Sequence, residues 1–124
     1  MSREIEVRAA GGQPSARITI GQAQFGKFGI YRFEADKKTF STIGVGHTPP
    51  GLQEFPMGAA DQLNGRFLQW DVIVAPFAGG DGQLFAVTMD IVQDGKVVAT
   101  FSDTGQFTGA TPKQIRTSAS IAAK

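Results

Sequence analysis

The sequence predicts an all-β fold: an antiparallel β-sandwich of Greek-key or jelly-roll kind with about eight strands, and a closed β-barrel as the alternative. Three observations predict it. Apolar and polar residues alternate with period two along most of the chain, as half-buried strands require. Clusters of Gly, Pro and Asp interrupt the alternation every ~8–12 residues, the spacing of strand turns. No window repeats apolar residues at the helical period, and only residues 57–63 suit one or two helical turns. At 124 residues one domain, residues 1–124, is expected, with enough buried surface to fold without staples.

The elements follow in order. Residues 4–8 alternate strictly and stop before Gly11-Gly12 and Pro14. Ala16, Ile18 and Ile20 alternate with Arg17 and Thr19 up to Gly21. Residues 25–33 are aromatic and branched, with Gly26 and Gly29 marking a bulge or bend. Phe28 and Ile30 share one face there and Tyr31 and Phe33 the other, the pattern of a strand buried on both sides. Asp36-Lys37-Lys38 makes a turn into a short strand at 39–43. Residues 67–75 form a strand ended by Pro76. Residues 84–93 place Phe85, Val87, Met89 and Ile91 on one face, and Asp94-Gly95 turns the chain into 96–101, the best local hairpin signal present. The last strand spans 114–121, where Ile115, Thr117, Ala119 and Ile121 alternate with polar residues. Residues 47–66 are the exception, with three prolines and three glycines. A connection that long is either a functional loop or a crossover that covers the core, and Leu52, Phe55, Met57 and Leu63 suit the second.

Composition excludes much chemistry. With no cysteine and one histidine, disulfides, thiol catalysis, cysteine zinc sites and two-histidine metal motifs are ruled out. No apolar run reaches the ~18 residues of a membrane span, and the first residues do not read as a secretory signal. The expected location is the cytoplasm, or export by a route without a recognisable signal.

Twelve Lys and Arg against eleven Asp and Glu leave a net charge of +1. Residues 1–38 carry seven basic and four acidic side chains, 39–95 one basic (Arg66) and six acidic, and 96–124 four basic and one acidic, giving +3, −5 and +3. Either strands from the ends interleave with the middle in space, or the molecule has an acidic and a basic face suited to self-association.

No catalytic constellation emerges. His47 has Ser41, Thr48 and Glu54 near it in sequence, but there is no Gly-x-Ser-x-Gly elbow, so the ordinary reading is a surface histidine. Asp71, Asp81, Asp90, Asp94 and Asp103 lack the Asp-x-Asp-x-Asp spacing of a calcium loop, and Asp before Gly is turn chemistry. Gly44-Val45-Gly46 lacks the Lys-Ser/Thr ending and the following helix of a phosphate loop. Residues 26–33 interleave basic and aromatic residues as RNP1 does, but out of order, so nucleic acid is not the expected partner. Ten of the twelve aromatics are Phe, a core-forming set, whereas binding faces favour Tyr and Trp.

The expected function is therefore a non-catalytic interaction module acting through protein–protein contacts or self-assembly as a homo-oligomer, without cofactor or metal. The alternative is a lectin-like protein binding carbohydrate or another small ligand through residues 44–66. Its candidate contacts are His47 and Glu54, with Trp70 and Asp81 from neighbouring elements, although mid-strand Trp70 reads first as core.

Overall fold

The computed structural model describes residues 3–21, 24–47, 52–76, 83–109 and 111–124. Nine strands form among them: β1 (Glu4–Val7), β2 (Ser15–Ile20), β3 (Gln24–Phe33), β4 (Phe40–His47), β5 (Leu52–Pro56), β6 (Phe67–Pro76), β7 (Leu84–Gln93), β8 (Lys96–Gln106) and β9 (Lys113–Ala123). The larger sheet has the order β1-β9-β6-β3-β4 and the smaller β5-β2-β7-β8. Pairing is antiparallel except where β1 joins β9 in parallel. The sheets pack face to face as a sandwich, and the alternative of a closed barrel does not form.

Alternation builds the core. Ala16, Ile18 and Ile20 of β2, Leu68, Trp70, Val72 and Val74 of β6, and Val87, Met89 and Ile91 of β7 all point inward and are buried. Burial of each large aliphatic side chain contributes about 1.5–3 kcal/mol. Ile5 and Val7 of β1 join the same core, so the first strand is held by the last. The predicted hairpin turn is present: Asp94 and Gly95 have φ of 54° and 76°, the two positive values of a type I′ turn.

Three expectations need correction. The strands at 39–43 and 96–101 run on to His47 and Gln106. Inside these longer strands, Gly44, Gly46 and Gly105 are places where an aromatic ring lies against the backbone. A Cβ at Gly44 would come within 2.5 Å of the Phe55 ring, and one at Gly105 within 2.7 Å of the Phe85 ring. Second, the 47–66 stretch contains a strand, β5, paired with β2, and Leu52 in it is exposed rather than inward. The helical turn expected within 57–63 does form, as a 3-10 helix at Ala60–Gln62, and Met57, Ala60 and Leu63 are buried, so the described part of this crossover covers the core. Third, β3 is buried on one face only. Gly26, Phe28 and Ile30 face the core, while Phe25, Lys27 and the row beyond them face outward, and no described strand lies over that row.

Charges interleave in space. Arg8–Asp94, Arg17–Glu54, Arg66–Glu34, Arg116–Asp71 and Lys124–Glu6 form ion pairs, and each joins two different charge segments of the sequence. Three acids of the −5 middle, Glu54, Asp71 and Asp94, are thus paired with bases of the two +3 ends. Exposed pairs of this kind contribute at most about 1 kcal/mol each.

Candidate functional site

The outer face of the larger sheet carries the surface chemistry. Register puts Phe33, Phe40 and Phe67 side by side across β4, β3 and β6, with Tyr31, Thr42 and Gln69 in the next row. The Phe33 and Phe40 rings stack at 5.2 Å, and Tyr31 meets Phe40 edge-on at 5.7 Å. Phe40 is 53% exposed. Toward the other end of the same face stand Val45, Ile73 and Phe25, all exposed. A contiguous apolar surface on a solvent-facing sheet is the informative departure from ordinary alternation.

The β3–β4 turn adds a cation. Asp36 accepts hydrogen bonds from the N–H groups of Lys38 and Thr39 (2.8 and 2.9 Å) and from the Thr39 hydroxyl (2.8 Å). Those bonds, the Lys38 N–H foremost, hold its carboxyl below the ordinary 3.8. Lys37 takes φ of 61° in this turn, and its Nζ comes 4.9 Å from the centre of the Phe67 ring, within cation–π range. Phe33, Lys37, Phe67, Gln69 and Ser118 enclose a groove of about 180 Å³. Lys27, Lys37 and Lys38 pair with no carboxylate among the described residues.

Of the four residues singled out as ligand contacts, the three that are described do not come together. His47 ends β4 on the outer face of the larger sheet, beside a shallow groove of about 520 Å³ with Phe25, Lys27, Ile73 and Ala75. Its carbonyl accepts from Gln53 Nε2 at 2.9 Å. Glu54 sits on the smaller sheet, paired to Arg17 at 2.9 Å. Trp70 is 1% exposed and packs against Phe101 at 5.3 Å, so it is core and offers no platform to a sugar. Asp81 lies outside the described residues. The remaining aspartates are turned to separate partners: Asp71 to Arg116, Asp90 to Thr100, Asp94 to Arg8 and Asp103 to Thr117. Among the described residues no three His, Cys, Asp or Glu side chains gather as metal ligands. A charged cleft of about 740 Å³ at one end, lined by Glu6, Arg8, Asp94 and Lys124 among others, has those four groups consumed in mutual ion pairs.

The aromatic face was the feature that sequence reasoning passed over. Its signal is the odd-numbered row Phe25, Lys27, Gly29, Tyr31, Phe33, in which a lysine stands among aromatics, unusual for a buried row.

No family model, curated protein or solved structure matches the chain. No helix among the described residues is long and apolar enough to cross a membrane.

Proposed function

We propose that the protein is a non-catalytic interaction module whose working surface is the outer face of the larger sheet. The observation that carries this reading is the outward-facing cluster of exposed Phe40 with half-buried Tyr31, Phe33 and Phe67, and Lys37 held at its rim. Aromatic side chains supply large contact area at small entropic cost and form the centres of protein interfaces. The groove between Phe33, Lys37 and Phe67 is the size of one side chain. The neighbouring lysines select for negative charge beside it. The partner that fits is a protein segment with an aromatic or aliphatic anchor next to a carboxylate.

A displayed library of random peptides provides the test. Wild-type protein should enrich peptides in which an apolar anchor lies within about three residues of Asp or Glu. Phe40→Ser and Lys37→Glu should each weaken binding of those peptides about tenfold, with unchanged circular dichroism. Absence of enrichment, or peptides indifferent to both substitutions, would reject the proposal.

A further inference from the structure

One edge of the larger sheet is only half covered. β1 pairs with β9 from Ser120 to Ala123, whereas β9 starts at Lys113. The direction of the backbone groups along β9 is set by bonds at its far end. The Ser120 and Lys124 N–H groups donate toward β1, to the carbonyls of Arg3 and Val7, while the Ile121 N–H donates the other way, to Arg66. Alternation then aims the N–H and C=O groups of Gln114, Arg116 and Ser118 at the open side. No described strand pairs with them there. Native edges are normally blunted by shortness, proline or charge.

Beneath this opening lie two unlike charges that do not meet. Lys113, Ile115 and Thr117 are opposite the buried Val74, Val72 and Trp70, so all three side chains are on the inner side of the sheet. Asp103 of β8 is opposite buried Val87 and likewise faces in, accepting from the Thr117 hydroxyl at 3.3 Å. Lys113 stands about 13 Å farther along the strand and has no carboxylate partner among the described residues. Ile115, between them, is only half-buried.

We propose that a second copy of this chain pairs antiparallel with the open edge of β9, about a twofold axis at Ile115. In that register Gln114 of one copy is opposite Arg116 of its partner, and the two exchange reciprocal backbone hydrogen bonds. Lys113 is opposite the partner's Thr117, so its ammonium reaches the inward carboxylate of the partner's Asp103, twice by symmetry. Ile115 packs on its own copy across the axis. Neighbouring registers are worse. An axis at Arg116 sets two guanidinium groups opposite each other, and one at Thr117 brings Gln114 to Ser120, whose N–H already serves Arg3. Pro112, which would face Ser118, has no N–H and ends the shared ladder. In the sheet below, the outward row of β8 is Thr100, Ser102 and Thr104, with no charge to oppose its copy. This association does not rest on the peptide-binding reading, because it leaves the aromatic face of both copies uncovered.

So short a ladder buries less than the ~1,200 Å² of a standard stable interface, so a reversible dimer with Kd on the order of 10–100 µM is expected. Sedimentation velocity of the whole chain from about 10 to about 500 µM in low salt should show that transition. Lys113→Glu and Asp103→Lys should each weaken dimerisation at least tenfold, because each places like charges together twice. An equimolar mixture of the two variants should dimerise again, since every contact across the mixed pair is then between opposite charges. That recovery also shows that both variants are folded. The proposal is overturned by a wild type that stays monomeric at the highest concentration, by single variants that associate as the wild type does, or by a mixture that stays monomeric.

Discussion

Single residues decide where aromatic rings and polar groups fit. Gly44 and Gly29 are both overlain by a ring, that of Phe55 for the first and Tyr31 for the second. Phe55 packs inward, edge-on to Phe28 at 5.9 Å, and has little room to move. Tyr31 lies on the outer face and can swing toward solvent. Gly44→Ala is therefore expected to cost about 1–3 kcal/mol of overpacking, and Gly29→Ala well under half of that. Equilibrium urea denaturation of the two variants checks the order, and equal losses would contradict it. Gln93 is the buried polar residue of the smaller sheet, 3% exposed. Its Nε2 donates to the carbonyls of Arg8 and Gly12, and its Oε1 accepts from the Arg8 N–H, all at 2.9 Å. Gln93→Leu preserves the volume but removes every one of these partners from the β1–β2 connection. Since an orphaned buried group costs about 1–3 kcal/mol, a loss of about 2–4 kcal/mol is expected in the same assay, where a neutral substitution would show that water replaces the amide.

Among the elements, turns carry the pH response. Asp36 in the β3–β4 turn is held below 3.8 by the N–H of Lys38, then by Thr39. Asp94 in the β7–β8 turn is held below 3.8 by hydrogen bonding from Arg8, then from the Gly12 N–H. A carboxyl whose folded value is depressed stabilises the fold above its unfolded value, and that contribution is lost as pH falls through the folded value. Lys124 has the opposite sign: the Glu6 carboxylate, then Glu4, raises it above 10.5, so its contribution is full below 10.5 and is lost as pH rises through the folded value. Urea midpoints measured from pH 7 to pH 2 should fall mainly below about pH 4, and less steeply for Asp94→Asn than for wild type. An identical slope in the variant would show that the Asp94 turn is not a source of the acid sensitivity. The turn itself was legible in the sequence, because Asp94-Gly95 between alternating runs admits few other conformations. So were β6 and β7, whose apolar residues recur at every second position. β5 was not: Leu-Gln-Glu-Phe-Pro has only two apolar residues before its closing proline, and what makes it a strand is its pairing to β2, a long-range fact. The outward row of β3 is not legible for a related reason. Alternation says that two rows face opposite ways, but not which of them another layer will cover. His47, Glu54 and Trp70 were grouped by position along the chain, whereas the sandwich sends them to one sheet's outer face, the other sheet and the core.

At the scale of the whole molecule, the chain must bring its ends together before it can rest. β1 is held by β9, and β6 sits between β3 and β9, so the larger sheet is completed only when the last strand arrives. Pairings this distant in sequence must offset loop-closure entropy before they stabilise anything, which makes sandwiches slow folders, in milliseconds to seconds, where helical bundles take microseconds. The molecule supplies its own reporter. Trp70 is the sole tryptophan, is buried in the middle of β6, and touches Phe101 of the opposite sheet. Its emission therefore reports the docking of one sheet on the other, whereas far-ultraviolet circular dichroism reports strand formation. If the two sheets form and dock as one cooperative unit, the two signals will give the same urea midpoint. Stopped-flow refolding followed through Trp70 will then be a single exponential of about 10 ms to about 1 s. A circular dichroism transition that survives beyond the fluorescence midpoint would mean that the sheets persist after undocking. Microsecond refolding would mean that β1 and β9 do not have to meet in the rate-limiting step.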